Sequence, residues 1–168
     1  MKVNNDIRIN GKLYKVGSKI PSLLIFPFFL IHMLIFGGSG FAMAYFGEVD
    51  TIFLYMHGGF AIFVYLIFYL VIFGLDAVKW MFINATLGIF GIYSELRIVL
   101  RQFDKEIADF PWTVHVVPFT YYVLYTFLIY QAVLSFTGSH GNPKKKRTVE
   151  IAYIAISTII YFIIYLNG

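Results

Sequence analysis

The chain has 168 residues, of which 60% are hydrophobic and 13% are charged, with a formal net charge of +4 and a mean hydropathy of +0.77. A domain of this length cannot bury so much apolar surface in water, so the composition excludes a soluble globule and predicts an integral membrane protein. The sequence contains no cysteine, which excludes disulfides, thiol catalysis and cysteine-bound metal or iron–sulfur centres.

The apolar stretches predict five membrane-spanning helices. Residues 1–19 are polar and basic, with Asn10-Gly11 as a turn signal, and either a small hairpin or an interfacial tail fits them. An amphipathic interfacial segment at 95–110 separates the third and fourth helices. The predicted spans are 20–47, 51–75, 77–97, 110–136 and 149–166. We therefore expect an all-α fold, with a basic cytoplasmic tail at 1–19 and one polytopic helical bundle at 20–168.

The distribution of basic residues predicts the orientation of these helices. With the N-terminus inside, ten of the 13 lysine and arginine residues lie on the inner side, and only Arg97, Arg101 and Lys105 lie outside. This arrangement satisfies the positive-inside rule, which explains the basic tracts without a nucleic-acid partner. The tail lacks the features of a removable signal peptide. We expect a bacterial inner membrane, with the N-terminus in the cytoplasm.

Small and polar residues of the first span mark its expected contacts. Gly37, Gly40 and Ala44 allow close approach of another helix, and the second span is the expected partner. Helical spacing places His32 on one face with Ser39 and Gly40. We expect His32 to make an interhelical hydrogen bond, with a proton relay or a quinone contact as alternatives.

Two later spans carry further polar faces. In the third span, helical spacing brings four residues onto one face, which is expected to point into the bundle: Asn84, Gly88, Gly91 and Glu95. In the fifth span, Ser157 lies in a stripe of hydroxyl-bearing side chains spaced by four residues. Such groups hydrogen-bond to neighbouring helices in lipid.

His57 and His115 are the candidate cofactor ligands. His57 lies six residues into the second span and His115 four or five into the fourth, so both are expected about 6–9 Å below the outer surface. Two neutral imidazoles at equal depth on separate helices are the ligand pattern of a b-type haem. The alternative is that each histidine is an interfacial residue or hydrogen-bonds to a neighbouring helix.

The sequence leaves three classes of function open. Motifs of zinc proteases, serine hydrolases, P-loop and dinucleotide-binding enzymes are absent, so catalytic activity of its own is not expected. The first hypothesis is an accessory subunit of a larger membrane complex, for example a respiratory one, with lipids and other subunits as partners. The alternative is a b-type cytochrome or quinone-reactive anchor, with haem b held by His57 and His115. The third is a small channel or transporter lined by Asn84, Glu95, His32 and tyrosines.

Overall fold

The computed structural model of the chain describes residues 6–9, 12–18, 22–47, 49–139 and 142–167. In chain order the elements are β1 (Ile7–Ile9), β2 (Lys12–Tyr14), α1 (Ser22–Tyr45), α2 (Thr51–Phe73), α3 (Leu75–Leu87), α4 (Ile89–Arg101), a 3₁₀ turn (Ile107–Asp109), α5 (Trp112–Phe136) and α6 (Pro143–Asn167). Apolar stretches become helices because each helix satisfies its own backbone hydrogen bonds in lipid. The prediction of an all-α membrane bundle is confirmed.

The N-terminal tail contains a small antiparallel hairpin. Ile7 pairs with Tyr14 and Ile9 with Lys12, while the Asp6 carboxylate accepts a hydrogen bond of 2.7 Å from the Val16 amide. The Asn10-Gly11 pair that predicts this turn lies outside the described residues. Of the two structures that fit the tail sequence, the hairpin is the one observed.

Helices α1, α2 and α5 form the core of the bundle. Phe26, Tyr69 and Leu124, one from each helix, are completely buried. Gly37 permits this packing, because a Cβ there would lie only 3.3 Å from the Tyr121 ring, whereas a Cβ on Gly40 would make ordinary contact with Val117 at 3.6 Å. Ala44 is buried as well. Their sequence predicts α2 as the partner of these small residues, but Gly37 and Gly40 face α5.

Contacts at the two ends of the bundle give the direction of each core helix. At one end, the Phe26 ring lies 6.4 Å from Phe73 and 6.0 Å from Phe136. At the other end, the Tyr45 hydroxyl bonds to His115. We call these the Phe26 end and the Tyr45 end. Helix α1 therefore runs antiparallel to both α2 and α5.

The segment between α2 and α5 is bent where one continuous helix was expected. The sequence predicts a single span at 77–97, whereas α3 and α4 meet at Gly88 with an angle of 69° between them. Gly88 ends α3 by donating its N–H to the Asn84 carbonyl at 2.9 Å, and its own carbonyl accepts from Ile92 at 3.1 Å. Kinks of this size occur at glycine because it lacks the side chain that favours continuous helix.

The bent pair carries the chain back across the bundle. Helix α2 finishes at the Phe26 end, whereas α5 begins at the Tyr45 end. After α4, Phe103 packs against Phe46 with a ring separation of 5.1 Å, next to Tyr45 in sequence. Helices α3 and α4 together therefore make one pass between the two ends.

Helix α6 makes the fifth pass. Tyr130, near the end of α5, hydrogen-bonds to Glu150 and lies 6.0 Å from the Tyr153 ring, while Ser157 faces Tyr122, two turns earlier in α5. Helix α6 is therefore antiparallel to α5. Helix α6 lies in the sequence of the fifth predicted span. By length and hydropathy, three helices in the described part suit a membrane crossing, namely Ile25–Tyr45, Thr51–Phe73 and Trp112–Phe136, and the bent pair would be a fourth. A membrane crossing by α6 stays a prediction.

The predicted amphipathic segment at 95–110 is only partly helical. Helix α4 ends at Arg101 and a 3₁₀ turn follows at Ile107–Asp109. Glu106 joins the two parts, because its carboxylate accepts a 3.1 Å hydrogen bond from Arg101. The charged groups lie on the exposed side, and Leu100 and Ile107 are buried beneath them.

Candidate functional site

Two of the four histidines line one groove between α1 and α2. The groove has a volume of about 400 Å³, and its walls are almost entirely apolar. Helix α1 contributes His32, and α2 contributes His57, between rings of Phe28, Phe36, Phe60 and Phe68. The groove opens on the outer surface of the helix pair, since the Phe60 ring is 71% exposed. In a membrane this surface faces lipid.

The His32 ring is fixed within its own helix. Its Nδ1 lies 2.8 Å from the Phe28 carbonyl oxygen, and its ring is 4.0 Å from the Phe28 ring. The carbonyl only accepts, so Nδ1 is the donor and Nε2 of the neutral ring is an acceptor. The interhelical hydrogen bond expected for His32 is replaced by this intrahelical one.

The His57 ring is tied to the neighbouring helix. Its Nε2 lies 3.2 Å from the Ser39 hydroxyl, and that hydroxyl donates its hydrogen to the Phe36 carbonyl at 2.9 Å. Because the single hydroxyl hydrogen is used there, His57 donates from Nε2 and keeps Nδ1 as an acceptor. Ser39, grouped with His32 by helical spacing, is thus the partner of His57.

His115 joins three elements at the Tyr45 end. Its Nδ1 lies 2.8 Å from the Tyr45 hydroxyl, and its ring lies 6.3 Å from the Phe110 ring. Tyr45 is 2% exposed, and its ring also packs edge-on against Phe110 at 5.1 Å. The Tyr45–His115 pair therefore links the end of α1 to the start of α5, and Phe110, next to the 3₁₀ turn, packs against both rings.

The two candidate haem ligands bond to different levels of α1. His57 bonds to Ser39 and His115 to Tyr45, which are six residues or about 9 Å apart along the helix. Haem binding by His57 and His115 stays a prediction, and the interhelical alternative for each describes the contacts observed. Within the described residues, no group of three or more metal-binding side chains occurs.

A second set of polar residues surrounds the inner face of α6. One cavity of about 460 Å³ contains Glu95 and Ser157, and a neighbouring cavity of about 340 Å³ contains Asn84, Gly88 and Ser157. The structure thus brings together most of the polar residues predicted for the third and fifth spans. Asn84, Gly88 and Gly91 are exposed, although this face was expected to be buried in the bundle.

Sequence reasoning missed two tyrosines of these sites. Tyr45, the partner of His115, is one of 13 tyrosines, and no spacing in the sequence distinguishes it. The Tyr121 hydroxyl is buried and has no hydrogen-bond partner among the described residues. Tyr121 lies 6.3 Å from Tyr65, which lines the histidine groove. The one sequence feature that could have indicated Tyr121 is the close spacing of glycines in α1, which leaves room for a large aromatic ring on the facing helix.

Searches of known proteins give no relative. The chain matches no model of a known protein family, no curated protein and no solved structure.

Proposed function

We propose that this chain is a non-catalytic integral membrane subunit that assembles with another membrane protein through the exposed surface around the α3–α4 break. The surface is formed by Asn84, Gly88 and Gly91, and we call it the break surface. The observation that carries the proposal is the exposure of Gly88, at which the helix is interrupted midway through a pass of the bundle.

Where a helix is interrupted inside a membrane, its unpaired backbone N–H and C=O groups must be shielded from lipid. The ends of α3 and α4 leave backbone groups without intrahelical partners, and hydrocarbon offers none. Irregular backbone at membrane depth is therefore found where protein or a water-filled cavity covers it. At the break, the Gly88 amide bonds to the Asn84 carbonyl of α3 and the Ile92 amide of α4 bonds to the Gly88 carbonyl, and neither of these described bonds joins α3 directly to α4. The cavity of about 340 Å³ that Asn84 and Gly88 line beside α5 and α6 is open at this surface, and a helix of a second protein would supply the cover.

The side chains of the break surface fit a helix partner. The Asn84 side chain is exposed and makes no hydrogen bond among the residues that the structure describes, and a side-chain amide left unpaired in hydrocarbon costs several kcal/mol. A Cβ on Gly91 would meet nothing within 4 Å, so another helix can approach the backbone there. Amide groups and small residues are the usual contacts between membrane helices.

We also propose an orientation, in which the Phe26 end of the bundle faces the cytoplasm. Lys79 and the 144–147 basic cluster lie at the Phe26 end, whereas Asp50, Asp104 and Glu106 lie at the Tyr45 end. The positive-inside rule assigns the Phe26 end to the cytoplasm, and we infer a bacterial inner membrane, where this rule holds.

Purification from the native membrane in mild detergent tests the proposal. We expect one or more membrane proteins to co-purify with the tagged chain in fixed proportion. Gly91→Leu should abolish their recovery while leaving the yield of the chain itself unchanged, since the new side chain enters open space. Gly38→Leu is the matched control, because a Cβ on Gly38 also meets nothing within 4 Å, and it lies on α1. A monodisperse monomer without partners contradicts the proposal.

A further inference from the structure

We propose that the groove between α1 and α2 binds a quinol, an aromatic ring with hydroxyl groups, taken from the lipid phase and held by hydrogen bonds from the ligand to His32 and His57. The inference does not depend on assembly with another protein. It rests on the acceptor nitrogens of the two histidines, the aromatic walls of the groove and the opening toward lipid.

The hydrogen-bond state of the histidines selects the ligand chemistry. Because Nδ1 of His32 donates to the Phe28 carbonyl, Nε2 is left as an acceptor, and no described residue donates to it. His57 likewise keeps Nδ1 as an acceptor, since Nε2 faces Ser39. A ligand that satisfies both must bring hydrogen-bond donors. The hydroxyl groups of a quinol are donors, whereas the carbonyl oxygens of the oxidised quinone only accept.

The walls of the groove select the shape of the ligand. Phe28, Phe36, Phe60 and Phe68 present rings to the cavity, and flat aromatic faces pack well against another flat ring. A volume of about 400 Å³ lies within the usual range of about 300–1,000 Å³ for small-molecule sites. An acyl chain would fill the groove but would leave both nitrogens without partners, which is costly in a membrane.

Both imidazoles are held in place before a ligand arrives. The His32 ring is fixed by the Nδ1 bond and by Phe28 at 4.0 Å, and the His57 ring is fixed by Ser39 and lies parallel to Phe53, with an interplanar angle of 13°. Ligand binding therefore orders few additional side chains, which lowers its entropic cost. Access is direct, since Phe60 and Met56 at the rim are exposed.

Binding of decylubiquinol and decylubiquinone to the full-length chain in nanodiscs tests the inference. We expect saturable binding at one site per chain, with the quinol bound more tightly than the quinone. His32→Phe should weaken quinol binding about fivefold to tenfold, as loss of one hydrogen bond predicts, and should leave quinone binding nearly unchanged. Imidazole ¹⁵N spectra of wild-type protein should show the acceptor resonance of His32 shifting as quinol is added.

Controls separate the groove from general effects on the protein. Phe60→Ala removes a ring from the groove, whereas Phe63→Ala removes a ring of α2 that is 60% exposed and does not line it. Quinol binding should weaken in the first variant and remain as in wild type in the second. Tighter binding of the quinone, equal effects of the two phenylalanine variants, or linear partitioning without saturation would each overturn the inference.

Discussion

The Tyr45 hydroxyl and the His115 Nδ1 atom lie 2.8 Å apart and join two helices whose contact residues are 70 positions apart in the chain. Tyr45 is almost fully buried, so its hydroxyl cannot exchange this bond for water. The pair closes the Tyr45 end of the core, and it accounts for the position of a histidine near the start of α5.

Tyr45→Phe should destabilise the fold. The substitution keeps the ring and removes only the hydroxyl, which leaves the His115 nitrogen without its partner. We expect a loss of about 1 kcal/mol in the free energy of unfolding, measured by titration with a denaturing detergent. His115→Phe should have a similar effect, and the double variant should lose less than the sum of the two. Additive losses would show that the bond contributes nothing.

Gly58→Ala should destabilise the packing of α2 against α5. A Cβ on Gly58 would overlap with Val117, and relief of that overlap requires the helices to separate. We expect a loss of about 1–3 kcal/mol in the free energy of unfolding. Gly59→Ala is the matched control, because a Cβ at the next position meets nothing within 4 Å. Equal stability of the two variants would show that α2 and α5 do not approach closely at Gly58.

Tyr130→Phe should release α6 from the bundle. The Tyr130 hydroxyl donates to Glu150, which also lies 3.7 Å from Lys146, and few other polar contacts join α6 to α5 in the described residues. Hydrogen exchange of amides 150–160 should become faster, while amides of α1 and α2 should exchange as before. Thr126→Val is a control on the same helix, because the Thr126 hydroxyl bonds only within α5. Unchanged exchange in α6 would contradict this role of Tyr130.

Optical spectra test the haem prediction. Since His57 and His115 bond to levels of α1 that are about 9 Å apart, we expect purified protein to lack a Soret band and sharp α and β bands after reduction with dithionite. Haem at this site requires the opposite result: a pigment that disappears in both His57→Ala and His115→Ala. Haem retained by both variants would exclude these residues as its ligands.

Single cysteines test the orientation. The chain has none of its own, so each introduced thiol reports one position. Gln102→Cys, on the exposed turn after α4, should react with an impermeant maleimide in intact cells. Lys144→Cys, at the start of α6, should react only after the membrane is opened. The reverse pattern would place the N-terminus outside.

Much of the architecture follows from the sequence because charge and hydropathy are local properties. The boundaries of α2 and α5 lie within two residues of the predicted spans. The bend at Gly88 could not be predicted from the sequence, because glycine is tolerated in membrane helices and its effect on a helix depends on packing. Counting residues placed His57 and His115 at equal depth, but it gives no information on which helix each ring faces. The choice of Ser39 and Tyr45 as partners arises from the rotation of the helices about their axes, which tertiary packing determines.

The packing of α1 against α5 also bears on biosynthesis. A ribosome delivers α1 and α2 to the membrane well before α5 is made, yet the Tyr45 hydroxyl, Gly37 and Gly40 have partners in α5. Helices α1 and α2 therefore lack their α5 contacts until residue 136 has emerged from the ribosome, and during that time they lie in the lipid or beside an insertion factor. During that interval, α3 and α4 are already present but contribute little to the core. A chain that stops at residue 110 would therefore enter the membrane and remain a substrate for quality-control proteases.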